Sequence, residues 1–342
     1  TRKRHHLANR GKQRGRGRVD VLGDPERFEL RFAGAGAAPA QLASALARGG
    51  VEMDQGARSL TAQSLQYDAA SGTAVCTGGV VAADAQTRLS APQMTFTSRP
   101  DGNDRLAASQ GVAVSLLPGA GGGLLPAGNA GQPVTVTAER LNWQGNLRGE
   151  AASRGTAEFN GGVRVMQAPN LLRADQLRLE AAANRMVAAG GVVTSTVSSS
   201  AVGGRAGARS RTPSVVTVSA AKLSYDATRR LAVYQCGVEL RGAEAQLQAP
   251  QMVVQMGARG LEQVVASQGV RLQQLGRSGS ANQVSYQVAQ GLIRMSGGTP
   301  SIYDAEQGKI SGDPLTFSLA SDEIQVGSKS GVRALGQTVV HK

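Results

Sequence analysis

LSAPQMTF, at residues 89–96, is repeated as LQAPQMVV at residues 247–254. The similarity extends without a gap from residues 61–117 onto residues 219–275, and both copies contain YDA and ASQGV. Similarity over this length within one chain indicates that the protein is built from repeats, and repeats decide how every shorter motif is interpreted.

The repeat has two halves, and about eight copies of it follow one another. An opening half has Ala, then Leu, Met or Val three residues later, then another apolar residue two positions further on. The opening halves are TAQSLQY (61–67), SAPQMTF (90–96), TAERLNW (137–143), RADQLRL (173–179), SAAKLSY (219–225), QAPQMVV (248–254), SANQVSY (280–286) and SGDPLTF (311–317). An answering half ends in Gly-Val, as in GGVV (78–81) and QGVRL (268–272), and GGVEM (49–53) predicts that the array begins before residue 60.

The spacing within the repeat predicts β-strands. Leu65 and Tyr67 share one face while Gln66 points the other way, which is the period of two that strands show. Two strands of about six residues with short turns fit the distance from an opening Ala to the next Gly. Helical periodicity is absent from these segments.

The octapeptide contains a slip in this alternation. Leu89 and Met94 are five residues apart, an odd number, so strict alternation cannot place both on the inner face. A bulge or bend at the Ala-Pro would correct the phase, and proline is tolerated where the ladder is already interrupted. We therefore predict a corner at Pro92, Pro250 and Pro314; a plain β-turn that ends one strand and starts another is the alternative.

Stacked corners predict a long two-sheeted jelly roll or a closed β-helix or solenoid. The repeat, as in TAQSLQYDAASGTAVCTGGV (61–80) and SAAKLSYDATRRLAVYQCGV (219–238), resembles the OstA-like, or LptA-type, lipopolysaccharide-transport family over about residues 44–327. The resemblance implies an all-β fold, an elongated and slightly twisted open β-jelly roll. It also implies an apolar interior that carries the acyl chains of lipid A.

Charge and composition divide the chain further. Eight of the 37 basic residues lie in residues 1–18, which hold no acidic residue, so the rest of the chain carries only +5 of the net +13. We expect this basic tail to be a disordered, solvated linker, with binding to phosphate or an anionic surface as the alternative.

Residues 19–327 are expected to form one jelly roll, with loop insertions at 118–133 and 198–214 and a C-terminal tail at 328–342. Arg205, Arg209 and Arg211 in the second insertion are either solvated charges or contacts for lipid phosphates.

The paired apolar residues of the opening halves are the candidates for a lipid groove. A trough is favoured by their continuous pattern and by the 3% aromatic content, whereas a closed and filled core is the alternative for each single residue. The candidates are Leu65, Tyr67, Met94, Phe96, Leu141, Trp143, Leu177, Leu179, Leu223, Tyr225, Met252, Val254, Val284, Tyr286, Leu315 and Phe317.

We therefore expect a periplasmic transport or bridge protein for lipopolysaccharide or a related lipid. Its expected partners are that lipid and, through head-to-tail contacts, itself or LptC-like and LptD-like jelly rolls. A structural β-solenoid scaffold or surface protein is the competing class. Nucleic-acid binding is not expected, and whether a signal or anchor precedes residue 1 stays open.

Catalysis and cofactors find little support in the sequence. The three histidines are His5, His6 and His341, all near the chain ends, so no histidine of the repeat array can act as a base or metal ligand. We expect no enzyme activity, no metal and no cofactor, although a polysaccharide-cleaving β-helix that works with carboxylates alone remains the enzymatic alternative.

Two structural expectations follow from linear stacking. Cys76 and Cys236 lie four repeat units apart, beyond disulfide reach, and should be free and buried. Unpaired strand edges should lie near residues 28–53 and 311–326, where partners could add a strand.

Overall fold

The computed structural model describes most of the repeat array. The described residues are 5–6, 18–21, 27–33, 41–55, 57–117, 125–126, 128, 131–146, 155–198, 214–243, 245–257, 260–274, 276–305, 308–318, 323–327 and 335–337. The predictions of a disordered basic tail, of a C-terminal tail and of the roles of Arg205, Arg209 and Arg211 fall outside these residues, except that His5–His6, Arg18 and Leu335–Gln337 lie in strands.

The chain divides into two compact units. Unit 1 comprises Thr1–Gly122, Ala130–Val165 and Gln176–Asn184, and unit 2 comprises Gly123–Asn129, Met166–Asp175 and Arg185–Lys342. The strands that begin in unit 1 are β1 (His5–His6), β2 (Arg18–Val21), β3 (Arg27–Ala33), β4 (Gln41–Gln55), β5 (Arg58–Asp68), β6 (Thr73–Ala83), β7 (Thr87–Thr97), β8 (Asp104–Leu116), β9 (Val134–Gly145) and β10 (Thr156–Gln167). The units share β11 (Asn170–Glu180), whose second half belongs to unit 1.

Unit 2 continues the same architecture. Its strands are β12 (Arg185–Ser198), β13 (Ser214–Asp226), β14 (Leu231–Arg241), β15 (Ala245–Gly257), β16 (Gly260–Gln274), β17 (Arg277–Gln287), β18 (Leu292–Ser296), β19 (Ser301–Asp304), β20 (Gly308–Ser311), β21 (Leu315–Ser318), β22 (Ile324–Val326) and β23 (Leu335–Gln337). The described helical segments are single 3₁₀ turns at Ala181–Ala183 and Val288–Gln290. Consecutive long strands pair antiparallel within each unit, which confirms the predicted all-β, open jelly-roll class.

Each long strand contributes to two layers, and β17 makes this arrangement explicit. Its second half pairs with β18, while its first half pairs with β19. β18 then pairs with β21, and β19 pairs with β20, so the two halves of β17 continue into separate sheets. These sheets form the two layers of unit 2, and the middle of each strand is the bend between them.

The bend is a bulge with a fixed chemistry. Two consecutive residues with positive φ recur in seven strands, at Gly49–Gly50, Gly78–Gly79, Gln110–Gly111, Gly161–Gly162, Gly190–Gly191, Cys236–Gly237 and Gln268–Gly269. In the pairing of β14 with β15, the register shifts between Gln235 and Val238, so Cys236 and Gly237 together face Pro250. Across this bulge the inward residues Tyr234 and Val238 of β14 are four positions apart, whereas Ala249 and Met252 of β15 are three apart, so the bulge keeps the apolar side chains of both halves on the inner face.

Small side chains fill the inside of each bend. The repeated alanine of the opening half is between 5 and 8% exposed in all seven strands that carry it: Ala62, Ala91, Ala138, Ala174, Ala220, Ala249 and Ala281. This explains why the repeat keeps alanine at this position, since a methyl group fits where the two layers are closest. The corner at Pro92 and Pro250 is confirmed, and the alternative of a plain turn is wrong because β7 and β15 run through both prolines.

The predicted corner at Pro314 is confirmed in position, since β20 and β21 lie in separate layers, but the strand is interrupted there instead of running through the bend. There the eighth opening half is divided into β20 and β21, and the preceding answering half is divided into β18 and β19. Gly297, Gly298 and Thr299 all have positive φ, so three consecutive residues leave the extended conformation and the strand is interrupted rather than bulged.

The predicted strand edges also need correction. β4 lies between β5 on one side and β2 and β3 on the other, so most of residues 28–53 is not an edge. β3 lies beyond β4, and β22 and β23 lie beyond β21 and β20. Among the described residues, the unpaired edges are therefore those of the outer strands, including β3 and β22, which lie largely within the predicted ranges.

The residue type at the first position of a bulge depends on the side chain that faces it on the preceding strand. A Cβ atom at Gly78 would lie 2.5 Å from Gln63 Cβ, and Gly161 and Gly190 are crowded in the same way by Glu139 and Asp175. Where Pro92, Ala221 or Pro250 takes that neighbouring place, the bulge begins with Gln110, Cys236 or Gln268. A long side chain on the preceding strand therefore requires glycine in the bulge.

We expect Gly78→Gln to destabilise unit 1 by about 2–5 kcal/mol, because a left-handed backbone costs a non-glycine residue about 1–2 kcal/mol and overpacking adds about 1–3 kcal/mol. Combined with it, Gln63→Ala should restore part of the overpacking loss, because it removes the Cγ and Oε1 contacts at 2.9 and 3.0 Å and because Ala221 faces the non-glycine bulge residue Cys236. Gly79→Gln is the matched control, since a Cβ atom there meets nothing within 4 Å. Urea unfolding measures all three, and a double variant no more stable than Gly78→Gln would contradict this account.

Candidate functional site: the apolar interior

The inward residues of neighbouring strands form continuous rows across each unit. In unit 1 the register of β4 to β9 aligns an inner row next to the bend: Ala47, Leu65, Cys76, Met94, Ala108 and Leu141. An outer row lies two residues further from the bend: Ala45, Tyr67, Ala74, Phe96, Leu106 and Trp143. Each predicted pair of groove residues in these strands therefore places one member in each row.

Unit 2 has the same two rows over more strands. Its inner row is Ala188, Leu223, Tyr234, Met252, Ala266, Val284, Met295 and Leu315. Its outer row is Met186, Tyr225, Ala232, Val254, Val264, Tyr286, Ile293 and Phe317. The remaining predicted residues, Leu177 and Leu179, lie in the second half of β11; Leu177 is buried and Leu179 is half-buried.

Burial separates the two rows in unit 1 but not in unit 2, where six of the eight outer-row residues are also at most 7% exposed: Met186, Tyr225, Ala232, Val264, Ile293 and Phe317. Every residue of both inner rows is at most 8% exposed, so the interior next to the bend is a filled core. Among the predicted outer-row residues, Tyr67, Phe96, Trp143, Val254 and Tyr286 are half-buried, whereas Tyr225 and Phe317 are buried. The accessible part of the interior is therefore the outer row of unit 1 and, in unit 2, the positions of Val254 and Tyr286.

The second layer supplies the opposite wall of each interior. In unit 1 its inward residues include Leu89, Val114 and Val136, which are paired neighbours on β7, β8 and β9 and are all buried. In unit 2 Leu240 and Leu247 occupy the same place on β14 and β15. The interior is therefore apolar on both sides.

Sequence reasoning missed half of this interior. The opening halves revealed alternate strands, but the intervening strands contribute Cys76, Leu106, Tyr234 and Met295. Their signal is weaker because the apolar residues before Gly-Val vary more. The alternation in LAVYQCGV (231–238), with Ala232 and Tyr234 on one face, would have revealed them.

The cysteines are free, as predicted, but only one of them is buried. Cys76 lies in the inner row, and burial raises the pKa of its thiol to about 11. Cys236 is exposed because it is the first bulge residue, where the side chain leaves the inner face. The prediction that both are buried is therefore wrong for Cys236.

A hydrogen bond crosses the interior of unit 2 near its first strands. Tyr234 Oη in one layer lies 3.0 Å from Thr194 Oγ1 in the other, and the Thr194 hydroxyl donates to the Val218 carbonyl at 3.4 Å. The Tyr234 hydroxyl is then the donor to Thr194. Burial raises the pKa of Tyr234 to about 12, against a smaller opposing effect of this hydrogen bond.

The described residues offer no group of three or more His, Cys, Asp or Glu side chains that could hold a metal ion. Within the same part of the chain, no helix is long and apolar enough to cross a membrane. Thus the class of site that the described residues define is an apolar interior between two β-layers, lined by aromatic and aliphatic side chains.

Comparison with known proteins supports the resemblance found in the sequence. Residues 217–323, all in unit 2, match the family described as "LptA/(LptD N-terminal domain) LPS transport protein". The predicted resemblance to the OstA-like family is confirmed for this segment, which is about a third of the chain.

Among solved structures, the chain is similar to LptH, "the LptA homologous periplasmic component of the conserved lipopolysaccharide transport device from Pseudomonas aeruginosa". The two share 14% identity with a TM-score of 0.33, and the alignment covers 37% of this chain and 95% of that chain. So low a TM-score does not by itself establish a common fold. No curated protein matches the chain.

We expect unit 2 to lose stability above pH 10, because Tyr234 ionises in the unfolded chain while burial keeps it protonated in the fold. A tyrosine whose folded pKa is raised stabilises the fold below its unfolded pKa of about 10, and this contribution is lost as pH rises toward 12. Tyr234→Phe should reduce the loss between pH 9 and 12 by about 2 kcal/mol. Chemical denaturation at each pH measures this, with exposed Tyr303→Phe as the control; equal pH profiles for Tyr234→Phe and the wild type would rule it out.

Proposed function

We propose that this chain is a periplasmic carrier of lipopolysaccharide or a related lipid, which holds acyl chains against the outer rows of its apolar interior. The observation that carries the proposal is the intermediate burial of five outer-row side chains, which are Tyr67, Phe96 and Trp143 in unit 1 and Val254 and Tyr286 in unit 2. The match of residues 217–323 to a lipopolysaccharide-transport family supports the same lipid class.

Energetics favours a site of this kind for an acyl chain. Burying one methylene group contributes about 0.8 kcal/mol, so a twelve-carbon chain costs roughly 10 kcal/mol to expose to water. The outer row of unit 2 crosses eight strands, which at about 4.8 Å per strand is a path of roughly 34 Å. A carrier needs such continuity because any wet gap along the path exposes the chain again.

The burial gradient fits a site that opens without unfolding. The inner row holds the layers together at the bend, while the outer row gives up contacts when the layers separate toward the turns. Trp143 shows how the opening is built, since its ring lies against the backbones of Gly145 and Gly155, which leave room for it. Transport along the rows needs no catalytic group in the protein.

The competing function is a structural scaffold whose interior takes no ligand. The complete burial of the inner rows favours it, because a filled core needs no lipid. The two functions differ in whether a lipid touches the outer row, and an inward and an outward tyrosine of unit 2 provide a direct comparison.

We expect p-benzoylphenylalanine at Tyr286, in the outer row, to crosslink to lipopolysaccharide in ultraviolet-irradiated bacterial cells. The matched control is Tyr303, which is 48% exposed. Tyr67 and the outward-facing Gln66 repeat the comparison in unit 1. Adducts detected by immunoblot and mass spectrometry at the inward positions alone support the carrier; adducts at none of the four, or equally at all four, contradict it.

Bridging requires contacts at the strand edges, and the proposal includes head-to-tail association through β22. Gly327 N donates to Pro314 O, and Ser318 N donates to Glu323 O. Because backbone hydrogen bonds alternate in direction along an antiparallel strand, the backbone of Gln325 bonds to β21, whereas the N–H groups of Ile324 and Val326 point away from it. This outward side can accept another strand.

We therefore expect Val326→Pro to weaken self-association or binding to an LptC-like or LptD-like jelly roll by about tenfold or more, since it removes an outward N–H donor. Val326→Thr keeps that donor and is the control. Light scattering over a concentration series measures self-association, and titration calorimetry measures partner binding. Unchanged association in the proline variant would exclude β22 as the edge used.

A further inference from the structure

One register of unit 2 breaks the apolar pattern of the interior. In β15 the inward residues of the first half are Ala245, Leu247 and Ala249, whereas β17 places Arg277, Gly279 and Ala281 in the same alternation. At the first of these positions β17 therefore has the cation Arg277, and at the second it has Gly279, which has no side chain. A local departure from an otherwise uniform rule is typical of a functional position.

Arg277 is held between both layers. Its Nε lies 2.5 Å from Asp304 Oδ2 on the paired strand β19, and the two side chains are 19% and 9% exposed. Its guanidinium carbon is 5.1 Å from the ring centroid of Phe317, which belongs to the outer row of the opposite layer. A buried ion pair is weak evidence for a stabilising role, because desolvation offsets most of its Coulomb energy.

The missing side chain at Gly279 leaves space that a flexible residue fills. A Cβ atom at Gly279 would lie 3.0 Å from Met295 Cε and 3.3 Å from the Ser301 carbonyl oxygen. Beside it is a small pocket of about 20 Å³, with Leu272, Ile302 and Phe317 as its apolar wall and Arg277 on its rim. Methionine adapts its shape readily, so movement of the Met295 methyl group enlarges this pocket at low cost.

We propose that this cluster is a binding site for an anionic amphiphile, with a phosphate or carboxylate head at Arg277 and the start of an alkyl chain over Gly279. The anionic head accepts hydrogen bonds from the Arg277 guanidinium and competes with Asp304 for it. The alkyl chain takes the place of the Met295 methyl group beside Phe317. This inference rests on the proposed carrier function and deepens it, since it adds selection of the lipid by charge. The apolar wall distinguishes the site from one for a free anion.

The test compares three probes on the full-length chain by titration calorimetry: dodecyl phosphate, dodecyl maltoside and inorganic phosphate. We expect dodecyl phosphate to bind the wild type at least about tenfold more tightly than the neutral maltoside. This is the gain in affinity that one charge-assisted hydrogen bond provides. Inorganic phosphate should show no binding at the same concentrations. Asp304→Asn should tighten dodecyl phosphate binding, because it removes the competing carboxylate.

Substitutions at the charged pair and at Gly279 test the two parts of the site separately. Arg277→Gln combined with Asp304→Asn removes both charges together, which avoids an uncompensated buried charge, and should abolish the preference for the phosphate head. Gly279→Val should weaken both alkyl probes by filling the space beside Met295. Arg294→Gln, at an exposed position of β18, is the matched control and should change nothing.

The outcomes separate this site from the carrier function. If both alkyl probes bind with equal affinity in the wild type and in the double variant, or if inorganic phosphate binds as tightly as dodecyl phosphate, the proposed site is wrong while lipid transport stands. If neither alkyl probe binds and Tyr286 gives no lipid adduct, the carrier function fails and this site fails with it.

Discussion

The bend in each strand is the constraint on which the rest of the structure depends. A bulge of two residues with positive φ faces a single residue on the next strand, and an alanine fills the inside of the turn. Because one strand serves both layers, the layers are joined at every bend and diverge toward the hairpin turns. In unit 1 the complete burial of the inner row and the intermediate burial of most of the outer row follow from distance to the bend.

The same constraint explains which residues the repeat keeps and which it varies. Alanine recurs because no larger side chain fits between two layers that meet, and Gly-Gly recurs where a long neighbour such as Gln63 or Glu139 crowds the bulge. Proline is accepted at Pro92 and Pro250 because the ladder is interrupted there, and it relieves that crowding. Local backbone geometry, rather than a ligand, therefore accounts for LSAPQMTF, the stretch that first revealed the repeat.

The sequence predicted what depends on local pattern: strands, corners and one inward pair for each opening half. It did not predict the contributions of the intervening strands, such as Cys76 and Met295, because their place in a row depends on register with strands before and after them. It placed Cys236 in the interior because the alternation could not show which residue the bulge turns outward. It also extended the array unbroken through Pro314, since three consecutive residues of positive φ have no signature beyond a Gly-Gly that elsewhere makes an ordinary bulge.

Polar contacts across the interior have a different role from the apolar rows. Apolar contacts are non-directional, so the two layers can separate and pack against another apolar group. The free-energy cost of this separation is set mainly by the apolar area that it exposes. The Tyr234–Thr194 hydrogen bond and the Arg277–Phe317 contact are directional, and they join the layers near the first and the last strands of unit 2. The strands between them, β15 and β16, hold only apolar side chains in both rows, at Met252, Val254, Val264 and Ala266. Separation of the layers therefore costs least in the middle of the unit, between these two polar contacts.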